Sequence, residues 1–263
     1  MVNKKQKAKP SKNDDFEITP RIGKAIENKL KGNDKSTKQL AIEIIGESIS
    51  KLKFRSKKQK EYLQLIASKE ISICTGPAGT GKSFLSVYKA IELLLDTSNN
   101  FEQIIITTPA VEADEKLGFL PGSIEDKLDP YVFSTFYLIE KLIGKPALDA
   151  LVEKRVVVVL GFGYMRGINI DKSIVLIEEF QNATVKQAKT LLSRIGEDSK
   201  FIISGDLKQS DRFKKVNDTG LYFISEHLKD IEELGFFEFN EEDIVRNPLI
   251  GKILKRFEDN EKK

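Results

Sequence analysis

The most specific chemistry in this chain lies in one run, Gly76-Pro77-Ala78-Gly79-Thr80-Gly81-Lys82-Ser83. It satisfies the pattern G-x-x-x-x-G-K-[ST], in which glycines let backbone N–H groups curl around phosphates and the following helix adds its positive end. Lys82 has the reach and charge for β- and γ-phosphates, and Ser83 offers a hydroxyl to Mg²⁺. The flanks fit this reading. Ile71–Thr75 leads in as an apolar strand, and Phe84, Leu85, Val87, Ala90, Ile91 and Leu94 lead out with helical spacing. The expected ligand is ATP with Mg²⁺, held by residues 76–83 with Phe84 beside them.

Binding becomes hydrolysis only if carboxylates stand nearby. Ser173-Ile174-Val175-Leu176-Ile177-Glu178-Glu179 is an apolar strand ending in two acids. Glu178 is expected to hold Mg²⁺, through water, and Glu179 to orient and deprotonate the attacking water. Strand period would send these neighbours to opposite sides, but at a strand end both can face one crevice. Phe201-Ile202-Ile203-Ser204-Gly205-Asp206 is a second strand with a polar end, followed by Gln209. Gln181, Asn182 and Gln209 carry amides that suit a lytic water or a phosphate oxygen, and equally suit loop capping.

These residues need a scaffold, and the rhythm of the chain supplies one. From about residue 54, short Val- and Ile-rich runs alternate with helical stretches: Ile71–Thr75, Gln103–Thr108, Arg155–Leu160, Ser173–Glu178, Phe201–Ser204 and Phe236–Phe239. Such alternation predicts βαβ units, an α/β fold with a mostly parallel sheet flanked by helices. Residues 118–150 interrupt it with a turn at 118–122 and an aromatic-rich helix over about 131–143, and a C-terminal helix is predicted from about Pro248. Residues 1–15 are read as a disordered basic tail, 16–53 as a helical N-terminal extension and 54–263 as the catalytic domain.

Composition narrows the function further. The chain is 40% hydrophobic and 32% charged, and no apolar run reaches the ~18 residues of a membrane span. The Lys-rich start has no apolar stretch behind it and is not read as a signal peptide. Cys74 is the only cysteine and His227 the only histidine, which argues against a disulfide, a zinc site or a Ser-His-Asp centre. A cytoplasmic location is expected. Net charge is only +3, yet basic residues cluster at Lys4–Lys12 and Lys51–Lys60. Such clusters suit nucleic-acid phosphates, and equally a solvated tail and helix face.

The motifs together resemble the PhoH family, P-loop ATPases linked to phosphate starvation and often carried by bacteriophages. The matching runs are GPAGTGKS at 76–83, TPAVEADEKLGFLPG at 108–122, DPY at 129–131, YMRG at 164–167, EEFQNAT at 178–184, SGD at 204–206 with Gln209, and VRNPLI at 245–250. The resemblance covers about 55–260 and implies a RecA-like core related to superfamily 1 helicases. It also implies ATP hydrolysis, often discussed with RNA, and a hexameric ring as the homo-oligomer. By position, Gln59 resembles the glutamine that reads the adenine edge, Asp206 and Gln209 the helicase sensing motif, and Arg246 an arginine that reaches a γ-phosphate, across a subunit boundary in a ring. Glu112 and Arg166 match family positions without an assigned role here.

The chain also departs from the family pattern. Glu178 stands where aspartate is usual, Thr108 where arginine is common, and Asp114 where glycine is usual. The added methylene at 178 bears on magnesium geometry and turnover, so nucleotide binding is the firmer expectation. Two functions stay open: an ATPase coupled to RNA binding or remodelling, and a nucleotide-dependent oligomeric switch that moves no nucleic acid. A small-molecule kinase shares the loop, but the paired acids and the Gly205-Asp206…Gln209 motif argue against it.

Overall fold

A computed structural model describes residues 37–45, 54, 56–109, 124–210, 212–245 and 256, with side chains from 132 onward in the helix that begins at 124. In chain order the elements are α1 (Thr37–Ile45), α2 (Lys57–Ser68), β1 (Ile71–Thr75), α3 (Lys82–Leu95), β2 (Gln103–Thr107), α4 (Ile124–Ile143), α5 (Lys145–Glu153), β3 (Val157–Val159), β4 (Ser173–Ile177), α6 (Val185–Leu192), β5 (Lys200–Gly205), α7 (Gly220–His227) and β6 (Leu234–Glu238). The strands form one sheet in the order β3-β2-β4-β5-β1-β6, every pair parallel.

Strand alternation splits the core in two. Cys74, Ile104, Ile106, Ile174, Leu176 and Ile202 face a layer built by α1 to α5. Their neighbours Ile73, Ile105, Val175, Ile177, Phe201 and Ile203 face α6, α7 and the short turn Phe162–Met165. Both faces are covered, which is why the runs read as nearly continuous apolar residues. Cys74 is fully buried in the first layer, and burial pushes its thiol well above the ordinary range, so it packs as an inert small side chain.

The predicted strands are present with shifted ends. The Arg155–Leu160 run contributes only Val157–Val159, because Arg155 takes a left-handed turn (φ 57°). The last strand is Leu234–Glu238 rather than 236–239. The aromatic helix begins earlier than the predicted 131, at Ile124. Within the predicted N-terminal extension, α1 buries Ala41 and Ile45 in the first core layer. The C-terminal helix predicted from Pro248 lies outside the described residues.

Because all strands run one way, their C-terminal ends share one edge of the sheet. The glycine loop after β1, Glu178 after β4 and Asp206 after β5 all emerge there, at the edge where α/β sheets bind ligands. β5 lies between β1 and β4, so its tip separates the loop from the two acids.

Candidate functional site

The loop curls because three glycines adopt positive φ: Gly76 at 138°, Gly79 at 91° and Gly81 at 94°. Gly81 ends the loop in the left-handed region and α3 starts at Lys82, with no side chain capping its first amides. Thr80 is fully buried and its hydroxyl donates to the Pro77 carbonyl at 3.1 Å, pinning the curl from inside. The Lys82 ammonium lies back over the loop, donating to the Gly76 and Pro77 carbonyls at 2.5 and 3.0 Å. Two later segments clamp the loop. Phe239 presses so closely on Gly76 that an added Cβ would sit 2.9 Å from the Phe239 Cβ, and the Val245 amide donates to the Gly79 carbonyl at 2.9 Å. Gln59, at the start of α2, is buried with its amide nitrogen against Gly81.

Glu178 follows the last residue of β4 and is only 7% exposed. Its Oε2 accepts hydrogen bonds from the Ser83 and Ser204 hydroxyls, both at 2.6 Å, tying the glycine loop to the tips of β4 and β5. Its Oε1 is buried with no hydrogen-bond partner among the described residues. Burial raises the Glu178 pKa; the two serine hydroxyls and Lys82 oppose the rise, and the Glu179 charge adds to it. An orphaned buried carboxylate oxygen beside a loop hydroxyl fits a hard divalent cation, which takes oxygen ligands from one or two carboxylates and from phosphates. Thr108 donates its hydroxyl to the Glu178 backbone carbonyl at 3.1 Å.

Glu179 escapes the alternation of the strand through its backbone. It sits in the left-handed region at φ 55°, so it turns back toward the same cleft instead of crossing the sheet. Gln181 holds it there. The Gln181 amide donates to Glu179 Oε2 at 2.5 Å, while its carbonyl oxygen accepts from the Asp206 N–H at 3.0 Å. Gln181 and Asn182 are both buried, and the Ser210 hydroxyl donates to the Gln181 carbonyl and to Asn182 Oδ1, each at 3.3 Å. These two amides knit loops together, the capping half of the sequence expectation. Asp206 Oδ1 likewise accepts from the Lys208 N–H at 2.9 Å.

A cleft of about 430 Å³ gathers Lys82, Ser83, Phe84, Glu178, Glu179 and Gln209 on one lining. Gly79, Ala78, Gly81 and Asp206 border the same space, while Gly76 and Pro77 line its neighbour of about 510 Å³ behind the loop. Gln59 is reached from the Gly81 side. Arg246, Glu112 and Asp114 lie outside the described residues. Two contributors go beyond the sequence expectations. Ser204 stands there only within a motif, although a hydroxyl at a strand tip facing an acid is a usable signal. Tyr137, on α4, lines the cleft from an element whose approach no local pattern reveals. Among the described residues no group of three or more histidines, cysteines, aspartates or glutamates is placed to hold a metal ion, and no helix is long and apolar enough to cross a membrane.

The family model described as PhoH-like protein matches residues 51–258. A PhoH-like protein of Synechocystis sp. is 37% identical over 216 residues, covering 82% of this chain and 64% of that protein. One from Bacillus subtilis is 38% identical over 200 residues, covering 76% and 62%. The chain thus spans under two thirds of the length of these relatives. Among solved structures, the large terminase of a thermophilic bacteriophage aligns with TM-score 0.47 and 13% identity, over 78% of this chain and 50% of that one. With the glycine loop at the tip of a parallel α/β sheet and a family match across most of its length, the chain belongs to the PhoH-like family.

Proposed function

We propose that this chain binds ATP with Mg²⁺ and hydrolyses it, and that the cycle drives binding or remodelling of RNA within a homo-oligomeric ring. The observation that carries this reading is the Ser83–Glu178–Ser204 contact. It joins the phosphate loop to a buried acid whose free oxygen has no partner among the described residues, with Glu179 turned into the same cleft.

In this reading the amides of residues 76–83 cradle the phosphates and Lys82 moves its ammonium from the loop carbonyls to phosphate oxygens. Gln59 is assigned to the adenine edge. Ser83 and Glu178 would hold Mg²⁺, which supplies charge neutralisation at the β- and γ-oxygens. A water oxygen forms the new bond to the γ-phosphorus as the bond to the β–γ bridging oxygen breaks, yielding ADP and phosphate. The water proton goes to Glu179, whose Oε2 is fixed by Gln181, leaving Oε1 to act as base. Gln209, on the lining of the same cleft, orients the water or the γ-phosphate, and Arg246 stabilises the charge on that phosphate. The last role rests on the resemblance of residues 245–250 to the family pattern, in which the arginine acts across a subunit boundary.

The test is ATP turnover with and without single-stranded RNA. Glu179→Gln is expected to keep nucleotide binding while lowering turnover by about a hundredfold or more. If Glu178→Gln abolishes turnover and Glu179→Gln does not, the base is misassigned. A nucleotide-dependent switch without strand movement is the second reading. It is favoured by the direct Ser83–Glu178 bond, in which the longer glutamate reaches the position that a shorter acid would leave to metal and water. Turnover indifferent to RNA, with no salt-dependent RNA binding, would favour it.

A further inference from the structure

The geometry points to a second binding surface, for the phosphodiester backbone of a single-stranded nucleic acid, in the cleft between the Phe162–Met165 turn and α6. The cleft measures about 450 Å³ and is lined by Arg166, Lys186 and Arg212 together with Phe162, Thr184 and Gln187. Its three cations arrive from separate segments, and none of the described lining residues is acidic. The chain as a whole is nearly balanced, with 43 basic and 40 acidic residues. Elsewhere lysines pair readily, as in Lys58–Asp243, Lys89–Glu92 and Lys145–Asp149. Among the described residues neither Arg166 nor Lys186 is paired with a carboxylate.

Three cations around a polar hollow with no acid on its described lining attract anions. Two of them are guanidinium groups, whose planar forks match phosphate oxygens. A spread of three charges suits successive phosphates of a strand better than a single ion. The turn that carries Arg166 also exposes Tyr164 at 57%, an aromatic face of the kind on which bases stack without regard to sequence.

Position gives this surface its significance, and here the inference rests on the ATPase reading above. Thr184 and Gln187 follow directly on the Glu178–Asn182 turn. Arg212 reaches the Gln187 side-chain oxygen at 3.5 Å, and the Phe213 amide bonds to Ser210, which in turn bonds to Gln181 and Asn182. Gln181 holds both Glu179 and the Asp206 amide. A strand that draws Arg212 toward its phosphates therefore pulls on the support of the water-activating carboxylate, and nucleotide turnover in turn shifts the grip on the strand.

The experiment measures fluorescence anisotropy of the full chain with labelled uridine RNA and thymidine DNA of about 20 nucleotides, without ATP, across about 50 to 300 mM KCl. Arg166→Ala, Lys186→Ala and Arg212→Ala are each expected to weaken binding of both strands by about five- to tenfold, and Arg212→Lys to recover part of the loss. The triple variant is expected to flatten the log–log salt slope by about two, the release expected for three single-strand phosphate contacts. Lys172→Ala and Lys229→Ala, on other surfaces, should stay within about twofold of the parent, and thermal melting checks that all variants fold. Wild-type-like binding by the triple variant overturns the proposal. So does an equal loss in the two control variants, or displacement of both strands by millimolar inorganic phosphate alone. Strand binding through these cations by a chain that hydrolyses no ATP would overturn the ATPase reading and leave this surface standing. Normal turnover with strand binding indifferent to all three cations would do the reverse.

Discussion

Burial raises the pKa of Glu178, and only two serine hydroxyls and the Lys82 charge offset it. A carboxyl whose folded pKa lies above its unfolded value contributes stability below the unfolded pKa and loses it as pH rises through the folded one. As pH rises above the ordinary carboxylate range, the charge on Glu178 therefore becomes a cost to the fold. Glu178→Gln keeps an acceptor for Ser83 and Ser204 and removes the charge. It is expected to raise the melting temperature by about 2–4 °C at pH 7, with the gain shrinking as pH falls into the acid range, while magnesium-dependent nucleotide binding weakens. A series of melting curves against pH, with and without Mg-ATP, checks both halves; an equal gain at every pH would remove the buried charge as the cause. The pair of acids was legible in the sequence because an apolar strand ending in Glu-Glu has few other uses. Their roles could be proposed from sequence; how both reach one cleft was not legible, since it depends on the left-handed backbone at Glu179 and on Ser204 arriving from a strand 26 residues later.

At the scale of elements, the tip of β5 is packed without slack. A Cβ on Gly205 would lie 2.7 Å from both the Gln181 side-chain oxygen and a Leu221 methyl. Gly205→Ala must displace one of them, and Leu221 is fixed in the second core layer. Gln181 then loses its bond to the Asp206 amide and releases Glu179. The expected result is a kcat lower by roughly ten- to hundredfold with nucleotide Kd changed little, since misplacing a catalytic group by an ångström is enough for that loss. Steady-state turnover beside nucleotide titration separates the two, and an equal fall in affinity would mean the loop, not the base, was disturbed. Four strands were legible nearly to the residue from their Val and Ile runs. The order of the sheet was not, because the placing of β5 between β1 and β4 is set by the faces of helices far apart in sequence. The cationic cleft was hidden for the same reason: Arg166, Lys186 and Arg212 share no local pattern.

For the whole molecule, the proposed ring makes a prediction that a monomer cannot satisfy. Arg246→Ala protomers lack the arginine, and Lys82→Ala protomers lack the phosphate-binding lysine but would still offer Arg246 to a neighbour. Each alone is expected to be nearly inactive. An equal mixture is expected to recover about a quarter of the parent turnover, the share of interfaces in a closed ring that place an intact Lys82 opposite an intact Arg246, alongside an oligomeric native mass. No recovery on mixing would place Arg246 in its own protomer's site. The sheet order also bears on how the protein is made. β1 carries the glycine loop, yet its partners are β5 and β6, and the loop is clamped by Phe239 and Val245. Pairings of such long sequence separation form late. On the ribosome, the phosphate loop is among the first parts of the sheet to emerge and the last to be completed. Under the proposed function, a nascent chain gains its grip on nucleotide only when residues 239–245, which clamp the loop, have arrived.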